Sequence, residues 1–251
     1  MITAWREHWK AADTPFIFFQ LAPWPSLNNG LIPAQRAAQV NATRLQNVGM
    51  VVSADRGDTA GAFHPIHPPV KEELSHRAFL VTDRLVYKNA SSPLQGPQPL
   101  RATFEPWDAS WGDYHYGTGR GSYVCNAGSG FVCGGIKVEF DQPLVLDHTL
   151  GQSNGWVNAG LAPARAATND LVVEDSIFGA KFQRAEITAV HGSVLQLNVT
   201  WIFGGKPPSV LKYGWSDYPA MPLSNAFGLP APPFVTPILS SSASKCESPL
   251  C

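Results

Sequence analysis

Two uninterrupted apolar runs constrain this chain more than anything else in it. "PFIFFQLA" (15–22) lies between Pro15 and Pro23, and "VGMVVSAD" (48–55) ends on an aspartate. Strands buried on both faces read this way, whereas strands with one wet face alternate polar and apolar residues. Between the runs, "GLIPAQRAAQ" holds helix formers after Pro33, a residue that suits a first helical turn. From Pro69, "PVKEELSHRAFLVTDRLVY" places Val70, Leu74, Ala78, Val81 and Leu85 on one helical stripe, with glutamates in the first turn. Residues 1–10 add a short helix carrying Ile2, Trp5 and Trp9 on one face. The order helix, strand, helix, strand, loop, helix predicts part of a doubly wound α/β sheet over residues 1–92.

Past "NASSPLQGPQPL" the pattern changes. Gly and Pro, 22 of each, concentrate there, and "GIKVEFDQPLVL", "FQRAEITAVHG" and "SVLQLNVTWIF" alternate between turns. Residues 93–240 therefore read as a mostly antiparallel β region, expected to be a sandwich, and 241–251 as a weakly ordered tail.

Charge excludes some partners. Lys+Arg 18 against Asp+Glu 19 gives no electrostatic reason for nucleic acid or an anionic membrane surface. No apolar run approaches the roughly 20 residues of a membrane span. Cys125, Cys133, Cys246 and Cys251 form two close pairs without zinc-ribbon spacing. They read either as two local disulfides of an oxidising compartment or as four free thiols. Sequons at Asn41, Asn89 and Asn198 lean toward secretion, and "MITAWREHWK" has no leader character, so a secreted form would need a leader upstream of Met1.

In open α/β sheets, ligands bind beyond the carboxyl ends of strands. "DRGDTAGAFHPIHPPVKEE" (55–73) lies there, with Asp55, Asp58, His64 and His67. A histidine after a strand end can serve as general base for a nucleophile on a neighbouring strand if a carboxylate orients it. His67 in "IHP" holds that place, and Asp55 and Asp58 are the nearby acids. The plainer alternative is a loop histidine beside a helix N-terminus, with aspartates making turns. A metal on His64, His67 and Asp58 lacks helical ligand spacing, so no metal is expected. "GTGRGS" (117–122) has only the composition of a phosphate loop and reads as a hairpin. "GQSN" (151–154) puts Ser153 in a glycine turn, but it follows a β run and reads as an inter-strand turn.

Four blocks together resemble the sialate O-acetylesterases. They are "AWREHWKAADTPFIFFQLAPW", "IPAQRAAQ" with Arg36 and Gln39, "DRGDTAGAFHPIHPPVKEE" with Asp55, Asp58, Ile66, His67 and Pro68, and "LKYGWSDYPAMPLSNAFGLPAPPF" (211–234). They occur in order in both halves, so the resemblance spans most of the chain. It implies a partial SGNH-type α/β catalytic domain, a β-rich C-terminal portion, and removal of O-acetyl groups from sialic acids or related sugars without a cofactor. It assigns His67 as general base, Asp58 or Asp55 as the orienting acid, and Arg36 and Gln39 to substrate binding. It implies a secreted or lysosomal location and leaves oligomeric state open.

Two departures accompany the resemblance. The position three residues before the histidine, often the acid in such enzymes, is His64 here. The family's Gly-Gln-Ser-Asn nucleophile box lies upstream of all the matching blocks, so the chain corresponds to the C-terminal portion. Gly151–Asn154 spells the same word on the wrong side of His67, and would need a permuted domain to act. A second reading is a non-catalytic carbohydrate-binding protein, in which Trp107, Trp111, Tyr114 and Tyr116 stack on sugar rings; core and turn packing is the plainer account of those aromatics.

Overall fold

The computed structural model describes residues 1–24, 31–58, 66–68, 71–106, 114–116, 123–125, 132–147, 171–174, 182–201 and 208–240. The chain divides into two compact units. The first holds Met1–Gln98, Val145–Asp170 and Gly214–Phe234; the second holds Pro99–Leu144, Leu171–Tyr213 and Val235–Cys251. The first division thus falls after Gln98, a few residues beyond the composition change at 92, and the chain re-enters the first unit twice.

In the first unit, helix α1 (Ile2–Trp9) leads into strand β1 (Phe16–Phe19), helix α2 (Leu31–Ala42), strand β2 (Val48–Val51) and helix α3 (Lys71–Leu85). β1 and β2 pair in parallel, with Phe16 opposite Val48 and Phe19 opposite Val51. Alternation decides which helix lies on which face. Val51 packs with Val81 and Leu85 of α3, and Ile17 joins that cluster. A Cβ on Gly49 would stand 2.5 Å from Val81 and 2.6 Å from Leu85, so glycine is what lets α3 approach the strand this closely. Val48, Met50 and Val52 point the other way and, with Val40 of α2 and Thr43 just after it, line a small cavity of about 40 Å³. The two helices therefore cover opposite faces of the pair, as a doubly wound sheet requires. The expected α3 stripe is realised: Leu74, Val81 and Leu85 are buried, with Ala78 packed beside them.

α1 lies at the amino ends of the strands. Arg6 donates to the carbonyls of Thr14, Gln46 and Asn47, the residues leading into β1 and β2. Trp5 stacks on Trp9 and meets Phe16, each pair 5.8 Å between ring centres. A short ribbon, β7 (Val145–Leu146) with β13 (Leu223–Ser224), completes the described strands of this unit.

The second unit is built on strands β3 (Pro99–Pro106), β6 (Val132–Phe140), β8 (Leu171–Glu174), β9 (Phe182–Arg184), β10 (Glu186–His191), β11 (Val194–Trp201), β12 (Val210–Tyr213) and β14 (Phe234–Ser240). They form one eight-stranded sheet ordered β10-β11-β6-β3-β14-β12-β8-β9. β14 runs parallel to β3, whereas the β10-β11-β6-β3 and β12-β8-β9 pairings are antiparallel. Register aligns Ala102, Val138 and Leu195 across three strands, and Phe104, Ile136 and Leu197 beside them; all six are buried. The alternation read from the sequence thus becomes one apolar face. Gly192, at φ +60°, opens the two-residue β10–β11 turn, where a side chain would be strained. A separate ribbon pairs β4 (Tyr114–Tyr116) with β5 (Tyr123–Cys125).

Candidate active site

The carboxyl ends of β1 and β2 carry the segments Gln20–Trp24 and Val52–Asp58. They are tied together first by the sheet itself, since Gln20 N–H donates to the Val51 carbonyl at 2.8 Å. The buried Ser53 hydroxyl then donates to the Gln20 carbonyl.

Arg36 of α2 is the largest brace. It is fully buried, and its guanidinium donates to four carbonyls: Leu21 and Ala22 after β1, and Ser216 and Asp217 from the segment after Gly214, all at 2.8–2.9 Å. Five rigid donors suit Arg to such a task. Gln39, one helical turn on, accepts the Leu21 N–H at 2.9 Å. The residues the resemblance assigns to substrate binding thus fasten strand-end backbone.

A second brace holds Asp55. Arg77 of α3 grips its two oxygens at 2.8 and 2.7 Å, and also donates to the Val52 carbonyl at 2.8 Å. Both side chains are 2% exposed, so this is a buried ion pair. Arg77 also donates to Glu73 at 2.9 Å, and Arg56 donates to the same Glu73 oxygen. Partial burial pushes the Glu73 carboxyl up, but the hydrogen bond from Arg56 and the charges of Arg77 and Arg56 outweigh it and hold its pKa below the usual 4.5.

Asp58 is buried too. Its charge falls on Tyr218: burial first, then Asp58, push the phenol up to about 12. In neighbouring Asp217, which gives its carbonyl to Arg36 and to Trp24 N–H, both carboxylate oxygens are buried without a hydrogen-bond donor among the described residues.

His67 is different. It is exposed, between half-buried Ile66 and Pro68, and has no hydrogen-bond or ion-pair partner among the described residues. Neither carboxylate expected to orient it is hydrogen-bonded to it: Asp55 is taken up by Arg77, and Asp58 is buried where its charge acts on Tyr218. His64, Ser153 with the rest of Gly151–Asn154, the Gly117–Ser122 loop, Trp107, Trp111, Cys246 and Cys251 lie outside the described residues, as do the side chains of Tyr114, Tyr116, Cys125 and Cys133. Among the described residues no group of three His, Cys, Asp or Glu could hold a metal ion, and no helix is long and apolar enough to cross a membrane.

Reading the sequence alone missed the two arginine braces and Tyr218. Arg77 left a signal: three residues after Leu74 and four before Val81, it falls on the inward stripe of α3, where a charge requires a buried partner. Tyr218 left none, because only the fold brings residues 214–218 beside 20–24 and 53–58.

A scan against protein-family profiles and a search of curated proteins give no match. Among solved structures, the fold matches a carbohydrate acetylesterase from Xanthomonas citri with a TM-score of 0.63 and 21% identity. The match covers 94% of this chain and 44% of that one, so the chain spans less than half of its neighbour's length. At this identity the likeness is one of fold: that of a carbohydrate acetylesterase.

Proposed function

We propose that the chain is the C-terminal portion of a serine carbohydrate esterase that removes O-acetyl groups from sialic acids or related acetylated sugars. The observation that carries this reading is an exposed histidine beyond the carboxyl end of β2, without a partner among the described residues, on a fold matched over 94% of the chain by a carbohydrate acetylesterase. Among the described residues, Arg36 and Gln39 are committed to backbone, Asp55 to an ion pair, and Asp58 is buried.

In this mechanism His67 takes the proton of a serine hydroxyl as the oxygen attacks the acetyl carbonyl. The tetrahedral intermediate expels the sugar hydroxyl, which leaves with that proton. Water, deprotonated by the same imidazole, then releases acetate from the acetyl-serine. The serine is assigned to polypeptide upstream of Met1. Asp58, which is not hydrogen-bonded to His67 in this structure, is proposed to turn onto the imidazole in the assembled site, and Asp55 supports the site indirectly by fixing α3 against β2. Arg36 and Gln39 are reassigned from touching substrate to positioning the end of β1. A secreted or lysosomal location and a sandwich arrangement of the second unit belong to the same reading.

The test is hydrolysis of p-nitrophenyl acetate and acetate release from O-acetylated sialic acid. The 251-residue chain alone is expected to be inactive, and the polypeptide extended upstream active. In the extended form His67→Ala should lower kcat by about 10²–10⁴-fold. Turnover by the short chain that survives His67→Ala would end the assignment. Turnover lost on Ser153→Ala, with the fold intact, would move the nucleophile to Ser153.

A further inference from the structure

The backbone that carries His67 has few means of holding itself in place. Pro68 and Pro69 have no N–H to give. Among the described residues no backbone hydrogen bond reaches residues 66–68. One side chain does: Lys71 donates its ammonium to the Pro68 carbonyl at 2.6 Å. A hydrogen bond from a charged donor is shorter and stronger than a neutral one. This one ties the residue after His67 to the first residue of α3. The helix is fixed in turn to the end of β2, because Arg77 holds the Asp55 carboxylate and the Val52 carbonyl. The described path from the sheet to His67 therefore runs through α3, Lys71 and Pro68.

Lys71 also goes against its position. A helix N-terminus carries partial positive charge and favours acids, and Glu72 and Glu73 obey that rule. Lys71 does not, and it has no ion-pair partner among the described residues, since Glu73 is taken up by Arg56 and Arg77. Helix stability alone would favour an acid there. Residues that break a local rule cluster where function requires them, and what this lysine supplies is the bond to Pro68.

We propose that Lys71 is a positioning residue for the candidate base: its ammonium, by holding the Pro68 carbonyl, fixes the backbone from which the His67 imidazole reaches its serine. The role of His67 rests on the proposed function; the clamp does not. Lys71 acts here through the backbone and touches no reacting atom. Small displacements suffice, since a misplacement of about 1 Å can cost on the order of 10²-fold in rate.

Two readouts on three variants test this. Nitrogen-15 relaxation of the His67 amide in the 251-residue chain reads the clamp without any chemistry. The wild type should give an ordered amide, with an order parameter of about 0.85, and Lys71→Met a mobile one, below about 0.6. Lys71→Arg should stay ordered, because a guanidinium can still donate to a carbonyl. Hydrolysis of p-nitrophenyl acetate by the polypeptide extended upstream reads the consequence. Lys71→Met and Lys71→Glu should each lower kcat by about 10–100-fold and leave KM within about twofold, with Lys71→Arg recovering most of the rate. Lys71→Glu should nonetheless melt no lower than the wild type, a divergence that a merely structural lysine would not produce. A His67 amide already mobile in the wild type, or equally ordered in Lys71→Met, would overturn the proposal. So would an active wild type whose kcat Lys71→Met leaves unchanged. An extended wild type without ester hydrolysis would instead end the assigned function, and the relaxation of the His67 amide would then decide the clamp by itself.

Discussion

Residues 53–58 and residues 66–68 are separated by seven residues in the chain, yet the structure treats them oppositely. In the first stretch Ser53 is bound to Gln20, Asp55 to Arg77, Arg56 to Glu73, and Asp58 is buried near Tyr218. In the second, His67 is exposed and has no hydrogen-bond or ion-pair partner among the described residues. The contrast separates two tasks that sequence spacing alone merges. Carboxylates after a strand end can build the platform, and a histidine a few residues on can be left for chemistry.

Breaking the platform should have the largest effect. Arg77→Leu leaves Asp55 charged and buried without its bidentate partner, with only the looser Arg56 guanidinium 3.6 Å away, and should cost about 3–5 kcal/mol in urea unfolding. Adding Asp55→Leu should recover much of that loss, because removing both charges is far cheaper than removing one.

Glu73 sharpens the same point by pH. Its folded carboxyl titrates below its usual value, so its contribution is present above pH 4.5 and is lost as pH falls through the lower folded value. The melting temperature of the wild type should fall below pH 4.5, and Glu73→Gln should flatten that acid limb. Tyr218 acts at the other end. Its phenol, raised to about 12, contributes below the ordinary 10 and loses that contribution as pH rises from 10 to 12. Asp58→Asn should move the phenolate absorbance titration down toward 10 while leaving part of the shift, since burial is its larger cause.

The smallest expected change is on the open side. His67→Ala removes an exposed ring without partners among the described residues and should alter stability by no more than about 0.5 kcal/mol. A loss beyond 2 kcal/mol would show that His67 supports the fold, and the contrast between the two stretches would fail.

The strands and α3 were legible because burial leaves a periodic trace. Val48–Val51 is buried throughout, and the Leu74–Leu85 stripe faces inward as its spacing requires. Phe16–Phe19 reads as equally buried, but is half-open, because burial of a strand depends on neighbours that its own sequence does not name. The candidate base was legible as His67 at a strand end. Its surroundings were not: the Arg77–Asp55 pair spans 22 residues and the bond from Arg36 to the Asp217 carbonyl 181, and such separations leave no local pattern.

The central claim is that His67 serves a serine lying outside these 251 residues. A fluorophosphonate, which phosphonylates only an activated serine, tests it by peptide mass. The short chain should remain unlabelled. The upstream-extended polypeptide should take one label, on a serine before Met1, and lose it on His67→Ala. A label on Ser153, or on any serine between Met1 and Cys251, would contradict the account.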